Sequence, residues 1–306
     1  MRSRIVKCTS ALVLLMLATA SGQLLADEKI VEIESRPGVT QKFIFIKPEQ
    51  PKAAMVLIPG AGGKLDLGTF LGVTTINPAY APSFAVESRK EFAKNSLMIA
   101  VIDSPSDRKK DGMGWGWRVT DAHARDIEAV VTFLKKQANV PVWLAGSSNA
   151  SLSAANFVSR IGNGDVHGLA IGAAMTNITP DNEFNPAFST QYRYGAMSVS
   201  GLDSFTGPVL IYWHKDDECV LSPPADAPRL ANKFTKSQKA EVRYIERKAY
   251  PASSKTNACL TGSIHDLNGV HEDAVKIITE FILRNSAINQ ANQQGAPEVA
   301  SQATRH

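Results

Sequence analysis

The sequence predicts one α/β domain: a mostly parallel central sheet with helices on both faces and a small cap. Three observations predict it. After residue 27, short β-branched runs alternate with amphipathic stretches, the pattern of strand–helix–strand units. Most of the later runs are apolar throughout instead of alternating, as strands covered on both faces require. The chain has 306 residues, 44% of them hydrophobic, enough to bury a large core without metal or dense cross-linking.

Taken in order, the chain opens with Arg2, Arg4 and Lys7, then the apolar stretch Ala11–Ala18, with Ala20 and Ala26 as candidate cleavage points. That is the layout of a secretory signal, and the apolar run falls short of the ~20 residues that span a bilayer. Residues 1–26 are expected to be removed, leaving a secreted or periplasmic protein with no integral membrane segment. Loss of the three cations takes the formal charge from +4 to about +1, which gives no electrostatic case for nucleic acid.

Strands are expected at Lys29–Glu34 and Gln41–Lys47, on either side of the turn Arg36-Pro37-Gly38. Others follow at Ala53–Ile58, Leu97–Ile102, Val142–Ala145, Leu169–Ala173, Val209–Trp213 and Val242–Ile245. Ile127, Val130, Val131 and Leu134 mark a helix that Thr120 or Asp121 can cap. Leu152, Ala155, Phe157 and Val158 mark a second helix, and Ala274, Ile277, Ile278, Phe281 and Ile282 a third. The domain is expected to span 27–285. From Ser286 onward the chain is mostly Gln, Asn, Ala and Ser, so 286–306 reads as a disordered tail.

The most informative stretch is Val142-Trp-Leu-Ala-Gly146-Ser147-Ser148-Asn149-Ala150. An apolar strand runs into Gly-x-Ser-x-Ala and a helical pattern follows at once, the context that a nucleophile elbow requires. Such a turn lifts Ser148 Oγ above the sheet edge, with the helix N-terminus beneath it favouring negative charge. Ser147 is the competing nucleophile. Upstream, Pro59-Gly60-Ala61-Gly62-Gly63 follows a strand. It fits neither the P-loop nor the dinucleotide glycine pattern. The reading that remains is an oxyanion hole, with backbone N–H donors at Ala61 or Gly62 paired with that of Asn149.

An acid and an imidazole complete the set. The strand Val209–Trp213 ends in Asp216-Asp217-Glu218, and Asp217 is preferred to Asp216 as the orienting acid. His265, in a loop before the last helix, is preferred to His271, which opens that helix. Trp115 and Trp117 are candidate pocket residues, and 176–206 is expected to form the small cap, with Tyr192, Tyr194 and Phe205 as lining. With Cys8 removed, Cys219 and Cys259 are an even pair in an oxidising compartment, so a disulfide is expected. It would tie the Asp217 loop to the His265 loop. Neither cysteine has C-x-x-C spacing, and no metal or cofactor is expected.

These residues resemble the α/β-hydrolase superfamily over about 27–285, and more closely its secreted bacterial members. The resemblance rests on the Gly-rich loop, Asp103-Ser-Pro-Ser-Asp-Arg108, the Trp-Leu-Ala-Gly-Ser-Ser elbow and the Asp217-x-Cys219 turn. Ala150 stands where the elbow commonly has glycine, and Asp266 follows the histidine where glycine is frequent. The resemblance implies Ser148, Asp217 and His265 as a triad in the order serine, acid, histidine. It implies a serine hydrolase, foremost a carboxylesterase acting on a small-molecule ester. A serine peptidase of the same fold and a non-catalytic binding protein are the other readings, since fold does not set substrate.

Overall fold

The computed structural model describes residues 27–176, 195–248 and 258–294. The expected signal segment up to Ala26, Tyr192, Tyr194 and most of the expected cap lie outside these residues. In chain order the strands are β1 (Glu28–Arg36), β2 (Val39–Ile46), β3 (Ala53–Ile58), β4 (Gly68–Phe70), β5 (Val73–Thr75), β6 (Leu97–Ile102), β7 (Val142–Ser147), β8 (Gly168–Gly172), β9 (Val209–His214) and β10 (Ala240–Ile245). The helices are α1 (Phe84–Glu87), α2 (Arg89–Lys94), α3 (Trp115–Arg118), α4 (Asp121–Gln137), α5 (Ala150–Arg160), α6 (Ala227–Ala231) and α7 (His271–Gln294).

Eight strands make one sheet in the order β1-β2-β6-β3-β7-β8-β9-β10. β2 runs antiparallel to both of its neighbours, and every other pairing is parallel. The central strands β3, β6 and β7 are buried along their whole length, which is why their sequences are unbroken apolar runs. Alternate residues feed two cores. Val56, Ile58, Ala100 and Leu144 pack under α4 and α5, whereas Met55, Leu57, Ile99 and Ala145 pack against α1, α2 and α7. Thr120 caps α4 by accepting the N–H of His123 at 3.2 Å. Among the described residues no helix is long and apolar enough to cross a membrane.

Two features differ from expectation. The β4–β5 hairpin carries Phe70, Leu71 and Val73 exposed, so no core periodicity marks it in the sequence. Its turn places Leu71 and Gly72 at positive φ, and leucine is not a residue that signals such a turn. Helix α7 continues past Ser286, where a disordered tail was expected. Ser286 is buried and its hydroxyl accepts the Trp143 indole N–H at 3.0 Å, an anchor that composition does not reveal. Residues 295–306 lie outside the described residues.

Candidate active site

Four connections meet at the carboxyl ends of the strands. Parallel strands β3 and β7 are neighbours in register, with Ile58 opposite Gly146, so the loops that leave them emerge side by side. β7 ends at Ser147 and α5 begins at Ala150, which leaves Ser148 and Asn149 to make the turn. Ser148 has φ 56°, a left-handed conformation that a serine holds only when its surroundings impose it. Its N–H donates to Gly172 O at 3.1 Å and Ala173 O at 3.2 Å, pinning the turn to the end of β8. A Cβ at Gly146 would sit 2.6 Å from Ala150 O, so residue 146 must be glycine. That absent Cβ also accounts for Ala150 where glycine is common: its methyl fills space that Gly146 leaves open.

The turn Ile264–Asp266 brings His265 over the elbow. His265 Nε2 lies 2.9 Å from Ser148 Oγ, and Nδ1 lies 2.8 Å from Asp217 Oδ2. Asp217 Oδ1 accepts the Cys219 N–H at 2.9 Å, which leaves the other oxygen aimed at the ring. Asp217 and His265 are buried at 7% and 2% exposure, and Ser148 keeps 9%, the most accessible of the three. A disulfide joins Cys219 to Cys259 and so links the Asp217 turn to the His265 turn.

The alternatives lie elsewhere. Ser147 is the last residue of β7, paired in register with Gly172 of β8 one position before the turn. Asp216 is exposed, and its N–H donates to His214 Nδ1 at 3.1 Å. His271 Nδ1 pairs with Glu87 at 2.8 Å, and its Nε2 lies 3.2 Å from Asp266 O. His123 is buried in α4, and burial pushes it down to about 3, so it stays neutral.

The Gly-rich loop presents Gly60 to the elbow: a Cβ there would lie 3.4 Å from that of Ser148. Among the described residues the N–H groups of Ala61, Gly62 and Asn149 have no acceptor. Asp103 braces the following segment by accepting the N–H groups of Leu65 at 2.7 Å and Leu67 at 2.9 Å. Ser104 Oγ donates to Gly63 O at 3.1 Å. Asp103 was legible only through the resemblance. Arg118, fully buried behind this loop, was not legible at all, because one arginine after a Trp-Gly-Trp run carries no pattern.

Of the pocket candidates, Trp115 packs with Leu152, Met175 and Cys219, next to the elbow and the disulfide. Trp117 instead packs against the core under α4, its ring covered by Arg36 and Arg108 at 5.3 and 5.1 Å. Phe205 is buried against Phe234 and borders a cavity of 460 Å³ at the opposite, amino-terminal ends of β7, β8 and β9.

Asp266 gives the site a pH-dependent cost. Burial pushes its carboxyl up to about 6, against N–H bonds from Phe84 and Gly262. Since an unfolded aspartate titrates near ~3.9, the folded state holds this proton more tightly. That contribution to stability is present at low pH and is lost as pH rises to about 6. Asp266→Asn should therefore melt a few degrees higher than wild type at pH 7.5, with little difference at pH 4. Melting curves whose separation does not change with pH would contradict this.

No protein-family model and no curated protein matches the sequence. Solved structures do align with it. An esterase of Pyrococcus furiosus, Pf2001, superposes with TM-score 0.56 at 14% identity over 85% of this chain and 93% of its own. Brefeldin A esterase, described as a bacterial homologue of human hormone-sensitive lipase, gives 0.56 at 12% identity over 92% and 81%. Dienelactone hydrolase from Anabaena variabilis gives 0.55 at 11% identity over 86% and 99%. With its sheet order, its strand–turn–helix elbow and these neighbours, the chain has the α/β-hydrolase fold.

Proposed function

We propose that this protein is a serine hydrolase that cleaves carboxylic esters through an acyl-enzyme on Ser148. The observation that carries the reading is the continuous relay from Ser148 Oγ to His265 Nε2, and from Nδ1 to Asp217, at a strand–turn–helix elbow. His265 takes the serine proton as Ser148 attacks the ester carbonyl, then returns it to the departing alkoxide. Water then attacks the acyl-enzyme with His265 again as base, releasing the acid. Asp217 holds Nδ1 protonated, which leaves Nε2 free to accept. The N–H groups of Ala61, Gly62 and Asn149 stabilise the oxyanion, each donor being worth roughly 3–4 kcal/mol in such sites. Trp115 supplies an apolar wall for the acyl or alcohol group. An exported protein is the matching setting, supported by the disulfide and the signal-like first 26 residues.

A panel of p-nitrophenyl esters set beside a peptide anilide tests the reading, together with a fluorophosphonate probe. Ester turnover and a single label on Ser148 are expected. Anilide turnover that exceeds ester turnover would move the protein to the peptidases. A folded protein that takes no label and turns over neither substrate would make it a binding protein.

A further inference from the structure

Arg118 is a cation in the core. It is fully buried, and among the described residues it makes no ion pair with a carboxylate. Burial pushes its guanidinium down to about 9, so it remains charged at neutral pH. Keeping such a charge out of water without a counter-ion is costly unless hydrogen-bond acceptors surround it. Its donors show where those acceptors lie. Nη2 reaches Pro59 O at 2.8 Å, Ala61 O at 3.1 Å and Gly60 O at 3.4 Å, three successive carbonyls of the Gly-rich loop. Nη1 is held by Ser153 Oγ at 2.8 Å, and that hydroxyl lies 2.9 Å from His123 Nε2.

The rest of the loop is fitted around this group. Gly63 leaves room for it, because a Cβ there would fall 3.0 Å from Nη2 and 2.4 Å from Met113 Cε. Asn149 Nδ2 also donates to Ala61 O, at 3.2 Å, and Met113 N–H donates to Gly62 O at 2.7 Å. A trans peptide points its N–H opposite to its C=O. Fixing the carbonyls of Gly60 and Ala61 therefore fixes the N–H directions of Ala61 and Gly62, the two loop donors without an acceptor. Ala61 has φ 44°, a left-handed conformation that an alanine keeps only under such restraint.

We propose that Arg118 is a positioning residue for the transition state: by gripping three loop carbonyls it aims the Ala61 and Gly62 N–H groups at the oxyanion. Its charge also polarises those peptides, so the donors are stronger as well as aligned. The inference rests on the acyl-enzyme reading and adds to it a residue remote from the substrate.

The test compares wild type with Arg118→Lys and Arg118→Met in ester kinetics and in binding of an alkyl boronic acid, whose tetrahedral adduct carries the oxyanion. Folding is checked by near-ultraviolet circular dichroism. We expect kcat to fall by about 10–100-fold with KM within about two-fold, smaller for Lys than for Met, and boronate affinity to fall by the same factor. Fluorophosphonate should still label Ser148 in both variants. Folded variants whose kcat and boronate affinity match wild type, or whose loss lies in KM alone, would overturn the role. If neither variant folds, Ser153→Ala decides, since it frees Nη1 and leaves the guanidinium in place. A joint loss of kcat and boronate affinity supports the role, and unchanged values overturn it. A wild type that hydrolyses no ester and takes no label overturns the acyl-enzyme reading and this role with it, whereas an active wild type with unaffected variants overturns the role alone.

Discussion

Ser148→Ala should fold as the wild type does and lose roughly four to six orders of magnitude in ester turnover. Only a hydroxyl is removed, from a residue whose backbone carries the structure of the turn through its bonds to Gly172 and Ala173. The strain at φ 56° falls equally on alanine and serine, so stability should change little. His265 loses a partner at Nε2 but keeps Asp217 on Nδ1, so the imidazole stays in place. Steady-state kinetics and thermal melts on the same preparation check both halves of the expectation. A residual rate within ten-fold of wild type would show that Ser148 is not the nucleophile.

Breaking the Cys219–Cys259 bond should be the largest change in stability short of disrupting the core. It closes a loop with a sequence separation of 40. In the chain-entropy model such a loop stabilises the folded state by about 4 kcal/mol. The expected loss for Cys219→Ser is therefore about 2–5 kcal/mol, read from denaturant midpoints under oxidising conditions. The effect on catalysis should exceed the effect on folding. Cys219 N–H orients Asp217, and Cys259 lies six residues before His265, so the bond clamps two of the three relay residues together. Activity that tracks the folded fraction alone would make the bond a purely structural brace.

The elements that position the site were legible because each has a local cause. Gly146, Ser148 and Ala150 mark a turn too tight for larger side chains, and the strands before them are continuous apolar runs. His265 could be chosen over His271 because it lies in a loop ahead of the helix, where it can reach the elbow, and Asp217 over Asp216 because the late-strand turn Asp217-x-x-Val220 has the form that positions an acid in this architecture. What stayed hidden depends on partners far away in the sequence. Arg118 meets Pro59 and Ala61 from 59 and 57 residues away, and nothing local announces it. Trp117 resembled Trp115 in the sequence, yet two residues of helical rotation separate a ring beside the elbow from one covered by two guanidinium groups. The end of α7 was hidden for the same reason, since the partner that holds Ser286 is Trp143.

The relay also sets a timetable. Ser148 and His265 are 117 residues apart, and His265 and Asp217 are 48 apart, so no short stretch of chain contains a working pair. The elbow itself is made from one local strand–helix unit and needs little loop closure to form, whereas the imidazole arrives only when the final turn before α7 docks. A partly folded chain thus carries a serine with no base. On the proposed reading, competence to cleave therefore requires the carboxyl-terminal segment to be docked, and a molecule in which it is detached should be silent toward esters around it.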